Sequence, residues 1–404
     1  MKRNSNNLRV LYAKSVFDNN ERRAVTEVLK TPYIGAGKKV AEFEQKIAGK
    51  FGKKYGLMVN SGSSANLIAV ELLNLPPGSE VITPALTFST TLAPLLQKGL
   101  VPVLVDVMPG FYTANIDQIE KAITPKTKAL MIPSLFGNIP DLPRLWRIAR
   151  KNKLYLIEDS CDTLGATIYG KPTGLYSDIS TTSFYASHII TAGGEGGMVS
   201  VNRRDWAKRA RILAGWGRRS SLNETEDINK RYTIKLSGIK YDSKFIFEEV
   251  GYNFRTTDIA AVFGLAQLKK LNKFSGLRQR NFRELLNFFR KYEKFFILPE
   301  QLKGVRTNWL AFPLTIRMEA PFSREQIVKH LEYANIQTRP VFTGNVLKQP
   351  GFKHMRRREM AGGYPAADFI MKNSFVVGAH HGMNQGQIDY LKTVFSVFLS
   401  RYIK

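Results

Sequence analysis

Residues 183–197 read Ser-Phe-Tyr-Ala-Ser-His-Ile-Ile-Thr-Ala-Gly-Gly-Glu-Gly-Gly, a hydroxyl and a lone imidazole ahead of a glycine-rich tail. A histidine titrates near neutrality, so His188 suits proton transfer at working pH. Alone, the segment fits a surface hairpin with an incidental histidine just as well. Three other segments supply what it lacks. Gly62-Ser63-Ser64 opens an apolar stretch, and a helix N-terminus made of small residues offers free amides to an anion such as phosphate. An ordinary helix cap is the plain alternative there. Phe88, closing Pro84-Ala-Leu-Thr-Phe, presents an aromatic face to a flat ring. Asp159, within Glu158-Asp-Ser-Cys-Asp162, is a strand-end carboxylate able to pair with a ring nitrogen, or else to cap a helix or join a buried salt bridge. A flat ring with a phosphate arm and a nitrogen needing an anionic partner describes pyridoxal phosphate.

Hydrophobic periodicity predicts the elements that must hold these residues. Strands are expected at 55–60, 81–84, 101–107, 128–133, 154–158, 178–182 and 198–201. Helices are expected at 19–30, 38–51, 61–73, 90–98, 116–122 and 142–152. Such alternation with short connections marks an α/β domain with a mostly parallel sheet, whose active residues gather beyond the strand ends. Asp159, Phe88 and His188 all fall at such positions. Residues 218–249 are polar and break the rhythm, as a surface excursion would. A long helical stretch then runs from Ile259 to about Phe296, and Val262, Leu265, Leu268 and Leu271 form a face suited to a connector between domains. A strand at 309–316, a capped helix at 323–334 and an amphipathic helix at 385–399 complete a smaller α+β unit. The expected division is an N-terminal arm and helix (1–35), a large α/β domain (36–272), and a connector helix with the small C-terminal domain (273–404).

The bulk composition agrees with two globular domains: 404 residues, 44% of them hydrophobic. No apolar run would span a bilayer, and the charged start lacks an apolar core behind it, so neither anchor nor signal peptide is expected and a cytoplasmic site is the default. The single cysteine, Cys161, excludes intramolecular disulfides and a cysteine-ligated iron–sulfur cluster. A net charge of +27 raises nucleic acid as a partner. The basic residues are spread in ones and twos, however, with Arg356–Arg358 the densest run, and no nucleic-acid motif accompanies them. The field favours an anionic small substrate instead.

Taken together, 60–66, 87–88, 158–166, 183–197, 251–268 and 338–345 resemble the sugar aminotransferases of the DegT/DnrJ/EryC/StrS group over nearly the whole chain. The resemblance implies an aspartate-aminotransferase-like pyridoxal-phosphate fold of type I. By it, Gly62, Ser63 and Ser183 hold the cofactor phosphate, with Ser64 in the same cradle, and Asn253 reaches in from the second subunit of a homodimer. Phe88 covers the ring, Asp159 keeps the ring nitrogen protonated, and Asp162 stands near the ring hydroxyl. Arg339, Asn345 and His380 are the expected substrate contacts. No metal site is expected.

One residue departs from the aminotransferase pattern. Members that transfer amino groups carry a lysine where this chain has His188, and imidazole cannot form a Schiff base. The 3-dehydratases of nucleotide-linked 4-keto-6-deoxyhexoses within the family carry histidine there, and 122–129, 183–191 and 336–345 look most like that subgroup. The implied chemistry uses pyridoxamine phosphate held without a covalent bond, a proton moved by His188 and expulsion of the sugar's 3-hydroxyl. Some such dehydratases hold an iron–sulfur cluster in the excursion, but 218–249 has no cysteine. The expected type is therefore self-contained, reloaded by glutamate and acting on a CDP- or GDP-linked sugar. The alternatives are an aminotransferase that tolerates the loss of lysine, and a basic nucleic-acid-associated or regulatory protein that keeps the fold without turnover.

Overall fold

The computed structural model describes residues 8–403, so the first part of the expected N-terminal arm lies outside the described residues. Seven strands build the main sheet: β1 (Tyr55–Val59), β2 (Glu80–Pro84), β3 (Val101–Val105), β4 (Thr127–Pro133), β5 (Tyr155–Asp159), β6 (Ile179–Ser183) and β7 (Gly197–Val201). They lie in the order β1-β7-β6-β5-β4-β2-β3. Strands β3, β2, β4, β5 and β6 run parallel, while β7 is antiparallel to both β6 and β1. Runs such as Val101-Pro-Val-Leu-Val are apolar throughout because helices cover both faces of the sheet.

On one face pack α5 (Ile116–Ala122) and α6 (Leu142–Lys151), whose Leu142, Leu145 and Ile148 meet Val103, Leu130 and Ile132. On the other lie α3 (Gly62–Leu73) and α7 (Arg204–Ala214) over Leu57, Val59, Met131, Ile157 and Val199, with α4 (Ser89–Gln97) after β2. Helix α7 is an addition to the expected elements. Its buried Trp206, Ala210 and Leu213 follow helical spacing between basic residues. Helices α1 (Asn19–Leu29), α2 (Lys38–Lys50) and α8 (Asp258–Lys269) pack together beside β1. Gly37 gives α2 no capping side chain, so Asp258 of α8 supplies it, accepting from the Gly37 and Val40 amides at 2.9 Å each.

Helix α8 therefore packs with α1 and α2 beside the main sheet, and the residues expected to form a connector are divided. Lys270 ends α8, and Leu271 opens α9 (Leu271–Arg290), which runs into the C-terminal sheet. There Phe282 stacks on Trp309 at 4.3 Å and Phe289 on Phe312 at 5.4 Å. That sheet is antiparallel, β8 (Phe296–Ile297), β9 (Phe312–Ile316), β11 (Ser374–Val377) and β10 (Arg339–Pro340) in spatial order. It is covered by α10 (Arg324–Tyr333), α11 (Pro365–Asn373) and α12 (Gln385–Leu399). The excursion after α7 carries a small hairpin, 234–241, with Ile239, Phe247 and Val250 exposed. No described helix is long and apolar enough to cross a membrane.

Two long-range attachments tie distant segments to this frame. The N-terminal segment is held against 335–337: the Val10 amide donates to Asn335 O, and the Gln337 amide to Val10 O at 2.8 Å. Likewise the 341–346 segment docks on the end of β2, where the Thr343 amide donates to Thr87 O and the Val346 amide to Ala85 O.

Candidate active site

Beyond the carboxyl ends of β4, β5 and β6 lies a cavity of about 540 Å³. Gly62, Ser63, Phe88, Asp159, Asp162, Ser183, His188 and Arg339 line it together.

One end of it is built by the start of α3. Ser61 caps the helix by accepting from the Ser64 amide at 3.0 Å. As the first helical residues, Gly62 and Ser63 have amides that no intrahelical carbonyl reaches. The helix start lies directly against the end of β6. A Cβ on Gly62 would stand 2.7 Å from Ser183 Cβ and 3.0 Å from Cys161 Sγ. Glycine alone allows this approach.

Asp159 forms the floor. Its Oδ2 accepts from Asn66 Nδ2 at 2.9 Å and Thr91 Oγ1 at 2.8 Å, and its Oδ1 from the Cys161 amide at 3.2 Å. Asn66 is itself fixed by Thr181 Oγ1, which donates to its carbonyl at 2.6 Å. The carboxylate is thus pinned in one orientation although buried. The aromatic wall is Phe88, half exposed, set edge-on to Phe342 at 5.9 Å, with Phe342 packed on Phe136 at 4.5 Å.

Asp162 accepts from the Phe136 amide at 2.8 Å. Burial, reinforced by the charge of Asp159, pushes its carboxyl up to about 7. His188 stands with Nε2 4.0 Å from Asp162 Oδ1 and its ring edge-on to Tyr185 at 5.7 Å. Burial first, then the cation of Arg278, pulls its pKa down to about 4. At pH 7 the imidazole is therefore neutral, and its Nδ1 is buried without a hydrogen-bond partner among the described residues. A neutral imidazole in such a pocket can accept a proton.

Four expected residues lie elsewhere. The Ser64 hydroxyl turns into the cap, donating to Asn60 Oδ1 at 2.7 Å. Asn345 caps the next turn by accepting from the Leu347 amide and donates to Asp368 at 2.7 Å, so both ends of its amide are engaged away from the cavity. His380 is buried behind it, with Nδ1 accepting from the Gly382 amide and Nε2 donating to Leu11 O at 3.1 Å. It serves to anchor the N-terminal segment. Asn253 is exposed, paired through its backbone with Gly215, and does not line this chain's cavity.

Other residues enter that motif reading missed. Asn66 lies one turn from Gly62 and Thr91 three residues from Phe88, so helical spacing alone was enough to find them. Tyr12 lines the cavity because its amide donates to Gln337 Oε1 at 3.0 Å, a contact between distant segments with no local signal. Glu195 and Ser187 line it as well. Among the described residues no group of three or more histidine, cysteine or acidic side chains is placed to hold a metal.

A solved structure of GDP-4-keto-6-deoxymannose-3-dehydratase with a trapped PLP-glutamate geminal diamine matches this architecture. The TM-score is 0.86 at 29% identity, covering 95% of this chain and 99% of that one. The fold and cavity thus define an α/β pyridoxal-phosphate enzyme fold of the aspartate-aminotransferase type, fold type I. The model of the DegT/DnrJ/EryC1/StrS aminotransferase family matches residues 16–395, and the chain belongs to that family. Its curated relatives include dTDP-4-dehydro-2,6-dideoxy-D-glucose 3-dehydratase of Saccharopolyspora spinosa, 37% identical over 96% of this chain and 86% of that protein. They also include GDP-perosamine synthase of Caulobacter vibrioides, 31% identical over 94% of this chain and 96% of that protein.

Proposed function

We propose that the protein is a pyridoxamine-phosphate-dependent 3-dehydratase of a nucleotide-linked 4-keto-6-deoxyhexose, reloaded by glutamate and serving dideoxysugar assembly. One observation carries the reading. His188 occupies the cavity, and no lysine stands among the described residues that line it.

The lining fits the cofactor without a covalent tether. Gly62 leaves the helix start open beside Ser183, so the amides of Gly62 and Ser63 with the Ser183 hydroxyl suit a phosphate. Phe88 offers its face to a ring, and Asp159, held by Asn66 and Thr91, suits a protonated ring nitrogen. With its carboxyl pushed up to about 7, Asp162 is about half protonated at neutral pH, and in that form it can donate a hydrogen bond to a ring oxygen. When bound, the cofactor supplies an amine for the sugar's 4-keto group and a sink for electrons.

His188 does the proton work. Its Nε2, turned towards Asp162, takes a proton as a neutral base and gives it to the departing 3-hydroxyl. A lysine amine in its place would recapture the aldehyde form of the cofactor and favour amino transfer. The reading is self-contained: 218–249 carries no cysteine to hold a cluster, which supports reloading by glutamate alone. The reading includes a homodimer in which the exposed Asn253 reaches the other copy's cavity, which sedimentation would test.

The deciding experiment supplies purified protein with pyridoxal phosphate, glutamate and a panel of CDP-, GDP- and dTDP-linked 4-keto-6-deoxy sugars. The expected products are 2-oxoglutarate, ammonia and a 3-deoxy sugar. Dependence on a separate reductase overturns the self-contained route. The likeness to GDP-perosamine synthase favours a second reading, amino transfer, and an amino-sugar mass in the product would establish it.

A further inference from the structure

Arg278, midway along α9, is wholly buried. Among the described residues it forms no ion pair, and it faces only neutral acceptors. Its Nη1 donates to Trp309 O at 3.0 Å and Leu310 O at 3.1 Å, its Nη2 to His188 O at 3.2 Å, and its Nε to His381 Nδ1 at 3.1 Å. The His381 ring is fixed in turn by stacking on Phe274, one turn earlier on α9, at 4.0 Å.

A buried cation without a counter-charge costs more than an apolar side chain of similar size, so packing alone does not account for it. What the guanidinium does is join three segments behind the cavity. The carbonyl of His188 belongs to the loop between β6 and β7, Leu310 lines the cavity on the way into β9, and His381 follows β11. A planar fork with five donors can hold all of these at once, and a lysine cannot.

We propose that Arg278 is the positioning residue of His188: it clamps the histidine's backbone to the small domain and keeps a fixed positive charge behind the ring. The proposal rests on the acid/base role of His188 in the dehydratase reading. Burial draws the guanidinium down to about 9, which leaves it charged at neutral pH. The other groups facing the imidazole are few. Asp162 lies across from it and Tyr185 on its own loop, with Tyr12 and Arg339 farther along the cavity wall. Asp159 and Cys161 lie on the floor and Glu195 at the loop's far end, while His380 and His381 are both held neutral by burial, with Arg278 adding to the effect. Among these, Arg278 is the cation that lies against the His188 backbone.

The test uses the full chain carrying 15N-histidine, with the His188 signal identified by its loss in His188→Asn. Arg278→Met is expected to raise the midpoint of His188 titration by about one pH unit or more as the cation disappears. It should also lower kcat roughly 100-fold while KM for the sugar nucleotide changes little. Arg278→Lys keeps the charge and loses the fork, so its midpoint should stay low while kcat still falls. Folded variants with a wild-type His188 titration and wild-type pH–rate profile, altered only in thermal midpoint, overturn the proposal. If Arg278→Met does not fold, Arg278→Lys with unchanged kcat overturns it alone. The titration needs no sugar, so a shifted midpoint in a chain that fails to deoxygenate any sugar keeps the clamp and sinks the dehydratase reading instead.

Discussion

At the scale of single residues, the site depends on what a few side chains cannot do. Imidazole cannot tether an aldehyde. His188→Asn should therefore cut sugar deoxygenation by about 10³-fold while cofactor still binds, and retention of most turnover would refute the acid/base role. His188→Lys should do the converse, forming a borohydride-trappable adduct with pyridoxal phosphate that shows in the protein's mass. Gly62 matters through the absence of a side chain. In Gly62→Ala the new methyl must push against Ser183 and Cys161, costing about 1–3 kcal/mol of stability and weakening cofactor binding. Urea unfolding and a pyridoxal phosphate titration would measure the two effects, and wild-type values in both would show that the helix start tolerates the methyl. That His188, Asp159, Phe88 and the Gly62–Ser63 pair line one cavity was legible in the sequence, since each sits where a strand hands over to a turn or helix. Ser64, Asn345 and His380 were expected at the cavity and do not line it, because their residue types suit binding and backbone capping equally well. Only the packing shows that neighbouring amides and carbonyls had already engaged them.

At the scale of elements, local periodicity located most helices and strands closely. Helix α12 spans Gln385–Leu399 and α5 Ile116–Ala122, as read from the residues. Periodicity does not say which elements support one another. The N-cap residue of helix α2, Gly37, has no side chain, and the cap comes from Asp258, more than 200 positions away in the chain. Asp258→Ala should cost about 0.5–2 kcal/mol by denaturant unfolding, while Asp258→Asn, which keeps one acceptor, should cost less. An alanine variant as stable as the wild type would mean that α2 finds its cap elsewhere. The same limit applies to α8: its apolar face suited a connector, but α1 and α2 use it, and the aromatic face of α9 makes the crossing.

For the whole molecule, buried histidines set the response to acid. His188, His380 and His381 have folded pKa values of about 4, 3 and 2, burial being the first cause in each. Unfolded, each would titrate near 6.5, so between those limits the unfolded chain binds protons that the folded chain refuses. Their contribution is complete above 6.5 and is lost as pH falls, at up to ~1.4 kcal/mol per histidine per pH unit. Asp162 works in the opposite sense. Raised from 3.8 to about 7, it contributes most below 3.8 and loses that contribution as pH rises. His330, also lowered by burial, acts with the three histidines, and Glu44, raised by burial, acts with Asp162; the imidazoles outnumber the carboxyls, so stability should fall between pH 7 and pH 5. An equal or higher urea midpoint at pH 5 would show that the imidazoles are reached by water.

What the amino-acid sequence determined by itself was the kind of element at most positions, α7 being missed, together with the α/β class and the separated motifs that meet in one cavity. Those properties are written in spacing over a few residues, where backbone geometry is local. What only the tertiary structure decided was membership of the cavity. Tyr12 and Arg339 enter it because the N-terminal segment and the C-terminal sheet fold over the strand ends, and Arg278 reaches His188 from α9. Such meetings depend on how whole layers pack, and burial of apolar faces fixes that packing without leaving a mark on the sequence near either residue.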